Sequence, residues 1–235
     1  MNRFIKSIAT GLMVLLIASA AHADPLSLSN FQWAHSPRSG DITPKPAGFG
    51  NVGAGMFSFQ ATGVDEWDGE LLAFCIDTTT ALRINGSNPY TIAEASTTGF
   101  NAQLPLLGEL FDRFFDGLNG NSTEIAAFQL AIWEIIHDFA TIANVGPDLE
   151  GGIFRALTPF SGARDRATVM LEALEGDGGS QFDLFVLTPG EGTSNQTLLT
   201  WRPKPVPEPG SLALIAIGLL LVLGMRQRRL AARAA

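Results

Sequence analysis

The chain has 235 residues, a formal net charge of −8, a single cysteine and three histidines. An acidic balance repels phosphate backbones and speaks against nucleic-acid binding. One cysteine rules out an intramolecular disulfide and a cysteine-rich metal site, and three histidines, one of them at position 22, are too few for a histidine-based one, so neither metal nor cofactor is expected.

The chain begins "MNRFIKSIATGLMVLLIASAAHA", with Arg3 and Lys6 ahead of an apolar stretch from Gly11 to Ile17 and the small-residue ending Ala21-His22-Ala23. This is the pattern of a secretory signal peptide over residues 1–23, cleaved before Asp24. Its apolar stretch is short of the ~20 residues a spanning helix needs. Export is therefore expected. The body, residues 24–204, is the size of one domain with a substantial core. Six of the 15 Lys and Arg residues lie in the two terminal segments, which leaves the body more acidic than the whole.

Within the body, Asp24 to Gly55 is rich in Ser, Pro and Gly and is predicted to form short strands joined by loops. Strands are predicted at "MFSFQAT", "ELLAFCID" and "PYTIAEA", where β-branched or aromatic residues stand between turn signals. The period then changes. In "LPLLGELFDRFF", Leu106, Leu107, Leu110, Phe111 and Phe114 recur at helical spacing. A second helix starts at Asn121 or Ser122, with Asn121 and Glu124 at capping-box spacing, and carries the apolar positions Ile125, Phe128, Ile132, Trp133 and Ile136. A third is predicted at "SGARDRATVMLEALEG", and two closing strands at "FDLFVLTP" and "QTLLTW". Strands, helices and strands again predict an α+β body whose helical part is inserted in a mostly antiparallel sheet, flanked by a signal helix and a C-terminal membrane helix.

The tail, residues 205–235, holds Val206-Pro207-Glu208-Pro209, an apolar run from Leu212 to Met225, and the basic cluster Arg226, Arg228 and Arg229. The basic flank fits cytoplasmic retention of a short spanning segment. In this three-part order the tail resembles the PEP-CTERM sorting signal read by exosortases of Gram-negative bacteria. The resemblance implies an exosortase-type partner at the inner membrane, followed by delivery to the cell surface or extracellular matrix.

Two residues of the body are unusual for their positions. Cys75 is an unpaired cysteine in an exported chain, and Gln129 is an amide on or beside the apolar stripe of the second helix. A buried carboxamide without partners costs about 1–3 kcal/mol, so Gln129 is either hydrogen-bonded or near the surface. Cys75 reads equally as a small core residue. The two are also linked by one reaction: displacement of ammonia from Gln129 by the Cys75 thiol, leaving an internal thioester.

The surrounding residues resemble the motifs of bacterial thioester-domain adhesins. Phe74 precedes Cys75, and Phe128, Gln129, Ala131, Ile132 and Trp133 fill an apolar-Gln-x-Ala-apolar-Trp pattern position by position. The resemblance implies a body combining a β-sandwich or barrel with an inserted helical subdomain, and a Cys75–Gln129 thioester, supported by those neighbours, that captures an amine- or hydroxyl-bearing protein or polysaccharide once and does not turn over; on this reading the chain is not an enzyme. Trp133 would pack over the bond, and Glu134 or His137 could take the incoming proton, although both also read as solvated helix residues. Three other readings stay open. One is a cysteine hydrolase using Cys75 and His137 with Asp77 or Asp138. Another is a passive matrix or carbohydrate-binding protein, and the third a dimer bridged through Cys75.

Overall fold

Alternation of apolar and polar side chains sets the first long strand, β1 (Leu26–Trp33), in which Leu26 and Leu28 face inward before a bulge between Ser29 and Gln32 shifts the register. The computed structural model describes residues 25–205 except 84, 85, 145 and 177–179, so the segment expected to be a signal peptide, residues 1–23, and the tail after Pro205 lie outside the described residues. Among the described residues no helix is long and apolar enough to cross a membrane.

Three short strands follow, β2 (Arg38–Gly40), β3 (Ile42–Thr43) and β4 (Val52–Ala54), then β5 (Phe57–Thr62), β6 (Gly69–Cys75) and β7 (Asn88–Glu94). The helices α1 (Leu104–Leu110), α2 (Ser122–Asn144) and α3 (Ala163–Glu172) come next, with the two-residue strand β8 (Arg155–Ala156) between the last two. The chain returns to strands in β9 (Phe182–Pro189) and β10 (Leu198–Pro203). Six strands close a barrel in the order β1-β5-β6-β10-β9-β7, every neighbouring pair antiparallel. The body is thus mostly antiparallel β with a few helices, and of the two expected architectures it takes the barrel. The expectation of only short strands before Gly55 is corrected at β1, a full barrel strand; Asn30, at φ 51°, breaks its alternation in the sequence.

The helices lie between β7 and β9 in chain order. Asn121 Oδ1 accepts from the N–H groups of Thr123 at 2.9 Å and Glu124 at 3.4 Å, which caps α2. The reciprocal half of the capping box is not made. The Glu124 carboxylate instead takes both Arg166 contacts, at 3.0 and 2.8 Å, and ties α2 to α3. From Ile125 to Ile135 every residue of α2 is buried, since neighbouring elements cover it on all sides. Helical geometry breaks at Asp138 (φ −120°, ψ 22°), whose carboxylate oxygens accept from Ile153 N at 2.9 Å and Phe154 N at 2.7 Å.

On β6 the strand alternation sends Leu71, Ala73 and Cys75 to one face and Phe74 to the other. Phe74 meets Phe128 of α2 with ring centroids 5.1 Å apart, and Phe111 and Trp201 complete an aromatic seam between helices and barrel. This seam fixes α2 against the end of β6, and Cys75 and Gln129 are the next residues along each element.

Candidate functional site

Cys75 is the last residue of β6, opposite Leu198 of β10. The neighbouring Ile76 N–H donates to Thr197 O at 3.1 Å, which completes the β10 side of the ladder. In antiparallel pairing the bonded sides alternate, so the N–H and C=O of Cys75 point away from β10, past the end of β5 at Phe57. Gln129 fills that ladder position with a side chain. Cys75 N–H donates to Gln129 Oε1 at 2.9 Å, and Gln129 Nε2 donates back to Cys75 O at 2.8 Å. Both residues are about 1% exposed. Gln129 is therefore buried and hydrogen-bonded, clamped through both ends of its carboxamide to the backbone of the cysteine.

The Cys75 thiol donates to Asp77 O at 3.0 Å. Burial pushes its pKa up to about 12, and the Asp77 carboxylate adds to the rise. Asp77 shapes the turn after the strand: its Oδ1 accepts from Thr79 N at 2.8 Å, Thr79 Oγ1 at 2.8 Å and Thr80 N at 3.1 Å. Burial would raise this carboxyl, but the hydrogen bonds from Thr80 and Thr79 outweigh it and hold it below the usual carboxylate range.

Gln129, Trp133 and His137 recur every fourth residue and share one side of α2. His137 Nε2 lies 3.1 Å from Thr78 Oγ1, three residues past the cysteine, and its ring stacks on Phe154. Burial lowers its pKa, partly offset by Asp138 and Asp77, which favours the neutral imidazole. The expectation that Glu134 and His137 are solvated is corrected here. His137 is half-buried, and Glu134 is 1% exposed because it sits in the fully covered stretch of α2. Glu134 Oε1 accepts from Asp148 N at 3.0 Å, and burial, with smaller contributions from Asp138 and Asp148, raises its pKa to about 7. Phe74, Phe128, Ala131 and Ile132 are wholly buried packing residues around the clamp.

A cavity of about 210 Å³ opens onto Cys75. Phe31, Trp33 and Phe57 form an aromatic wall, and Asp77, Trp133 and Gln196 also line the cavity. The wall is continuous: Trp33 and Phe57 centroids stand 4.9 Å apart, and an added Cβ at Gly53 would come within 2.9 Å of the Trp33 ring. Gln196 was not singled out in the sequence, where it opens the strand-like run after a turn-rich segment. A larger cavity of about 350 Å³ beside Glu94, Pro105, Ser180 and Lys204 shares no residue with this site. The sorting residues Val206, Pro207, Glu208, Pro209, Arg226, Arg228 and Arg229 lie outside the described residues.

Residues 205–229 match the PEP-CTERM protein-sorting motif. The motif marks an exported protein sorted via the membrane to the cell surface, and it implies processing by an exosortase. Among solved structures, neighbours of the chain are bacterial adhesin domains. It is similar to the N-terminal domain of the Streptococcus pyogenes pilus tip adhesin Cpa, at 14% identity over 80% of this chain and 97% of that one, with a TM-score of 0.42. It is also similar to the N-terminal thioester domain of a Clostridium perfringens surface protein (11% identity, 74% and 97% covered, TM-score 0.41) and to that of the fibronectin-binding protein SfbI from Streptococcus pyogenes (12%, 77% and 95%, TM-score 0.40). No curated protein matches the chain. Likeness at this level leaves the chemistry to be argued from the site.

Proposed function

We propose that the body is a single-use covalent adhesion module, in which Cys75 Sγ and the Gln129 carbonyl carbon form an internal thioester that captures a nucleophile on a target surface. The observation that carries this reading is the reciprocal clamp between the Gln129 carboxamide and the Cys75 backbone, at 2.9 and 2.8 Å. It holds an acyl group beside the sole thiol of the chain, and Cys75 N–H is already directed at the oxygen on which negative charge develops during acyl transfer.

Formation exchanges the C–N bond of the carboxamide for a C–S bond and releases ammonia. The exchange also removes a titratable thiol from a site where burial penalises its ionised form. Capture reverses the roles: an amine or hydroxyl of the target attacks the carbonyl carbon, the C–S electron pair returns to sulfur, and an amide or ester remains. His137, neutral and reaching toward the cysteine turn through Thr78, takes the incoming proton; Glu134 is turned to the 148 loop and holds it. Nothing turns over, so the protein is not an enzyme.

The cysteine hydrolase fits the geometry less well. The thiol is bonded to Asp77 O, His137 to Thr78, and Asp138 to Ile153 and Phe154, so no Cys-His-Asp chain forms, and a thiol raised to about 12 carries little thiolate. A dimer bridged through a cysteine about 1% exposed is disfavoured by access. The aromatic wall with Phe49 exposed at its rim favours passive carbohydrate binding as the second reading. In the proposed life of the protein, an exosortase at the inner membrane of a Gram-negative cell processes the tail, and the body acts at the cell surface or in the matrix.

Intact mass of the exported protein tests the bond. The wild type is expected to lack the mass of one ammonia relative to its sequence, to resist alkylation, and to gain a methylamine adduct on treatment, with Gln129→Ala showing none of these. A full mass with freely alkylated Cys75 in folded protein overturns the covalent reading and leaves the passive one.

A further inference from the structure

Trp133 and Gln196 both line the cavity at Cys75, and each carries a buried polar atom that, among the described residues, has no hydrogen-bond partner: Trp133 Nε1 and Gln196 Oε1. One is a donor and the other an acceptor. Trp133 is only 3% exposed, stands one helical turn beyond Gln129 and shares the cavity lining with Cys75.

The backbone of Gln196 is held in place by its surroundings. Tyr90 Oη donates to its backbone oxygen at 3.1 Å, and its own N–H donates to Asn195 Oδ1 at 3.0 Å. Asn195 is itself buried and exchanges hydrogen bonds of 2.9 and 3.0 Å with the backbone of Arg83. The next residue, Thr197, accepts from Ile76 N, and Leu198 stands opposite Cys75. Hydrogen bonds with Tyr90, Asn195 and Ile76 thus fix the backbone on both sides of Gln196, whose side-chain oxygen is left unpaired, and a buried unpaired polar atom calls for an explanation.

We propose that Gln196 and Trp133 complete the acyl-transfer site, Gln196 Oε1 accepting a hydrogen bond from the incoming nucleophile and the Trp133 N–H donating one to Cys75 Sγ as the C–S bond breaks. The inference rests on the thioester reading. Gln196 gives and takes no proton; it directs the lone pair of the nucleophile toward the Gln129 carbonyl carbon. As the new bond to that carbon forms, the C–S pair passes to sulfur, where the indole N–H stabilises the charge, and the proton lost by the nucleophile leaves through His137 to restore the thiol.

The test is the rate of methylamine incorporation into the full chain, followed by intact mass, for the wild type, Gln196→Leu, Gln196→Glu and Trp133→Phe. All four are expected to show the ammonia deficit. Gln196→Leu slows methylamine capture on the order of ten-fold or more while hydrolysis by water changes less, because orientation of the nucleophile is what it loses. Gln196→Glu, which keeps an acceptor oxygen, retains most of the rate, as a merely structural loss would not. Trp133→Phe slows methylamine and water alike, since both expel the same sulfur. Wild-type rates in Gln196→Leu and Trp133→Phe overturn the proposal with the thioester intact. A wild type without the ammonia deficit overturns the thioester itself.

Discussion

Two pairs of adjacent residues, Phe74 with Cys75 on β6 and Phe128 with Gln129 on α2, carry opposite tasks. The aromatic members meet at 5.1 Å inside a seam with Phe111 and Trp201, in which Phe74, Phe111 and Phe128 are wholly buried. The polar members meet one residue further on, beside a cavity that leaves Trp133 Nε1 and Gln196 Oε1 unpaired. Strand alternation and the helical turn send neighbours to different faces, so one crossing of β6 and α2 serves both. The seam supplies the packing energy and the alignment; the clamp beside it tolerates unsatisfied groups because its alignment is fixed elsewhere.

Breaking the seam is therefore expected to have the largest effect. Phe128→Ala leaves a cavity at its centre and should cost about 3–5 kcal/mol in denaturant unfolding. Because Phe128 also sets the height of α2 on β6, the ammonia deficit should fall with it even in protein that stays folded. A variant that loses this stability yet keeps a full deficit would show that Gln129 finds Cys75 without the seam.

The second test lies on the polar side of α2. The Glu134 carboxyl is raised from the ordinary 4.5 to about 7. Between those values the folded chain keeps a proton that the unfolded chain has released, so stability falls as pH rises through this window and the loss is complete above it. Glu134→Gln keeps an oxygen for Asp148 N and cannot ionise. Urea midpoints of variant and wild type should run parallel below about pH 4.5, separate between about pH 4.5 and 7, and keep a constant gap above that, the variant being more stable by at most about 3.5 kcal/mol. Parallel curves throughout would mean that Glu134 relaxes to water on ionising, and that α2 is less tightly covered on this side than on the aromatic one.

How much of this was legible in the sequence follows from how local each signal is. β5, β6, β7, β9 and β10 stand where alternation between turn residues predicts them, and the helices where the period lengthens. β1 was hidden because Asn30 and the bulge after Ser29 interrupt its alternation. Barrel closure was not legible, since it depends on β1 pairing with β7 across some sixty positions, Leu26 opposite Tyr90. Cys75 and Gln129 stood out as chemically misplaced residues, and the clamp gives that oddity a geometry. Glu134 was misjudged because a charged residue on an amphipathic pattern reads as solvated, whereas α2 is covered all round from Ile125 to Ile135. Gln196 carried no local signal: only the register of β10 on β6 brings it to Cys75.

The smallest expected effect separates stability from alignment. Asn121 caps α2 two turns before Gln129, and its loss in Asn121→Ala should cost about 1 kcal/mol. Glu124 cannot compensate, because its carboxylate is committed to Arg166 rather than to the Asn121 N–H. The cap frays the first turn but leaves Phe128 seated on Phe74, so the ammonia deficit should be that of the wild type while the urea midpoint falls. Phe128→Ala and Asn121→Ala then form a pair on one helix: both destabilise it, and only the one in the seam should disturb Gln129. If the cap variant lost the deficit as well, the position of Gln129 would depend on the stability of α2 as a whole, and the division of labour between seam and clamp would not hold.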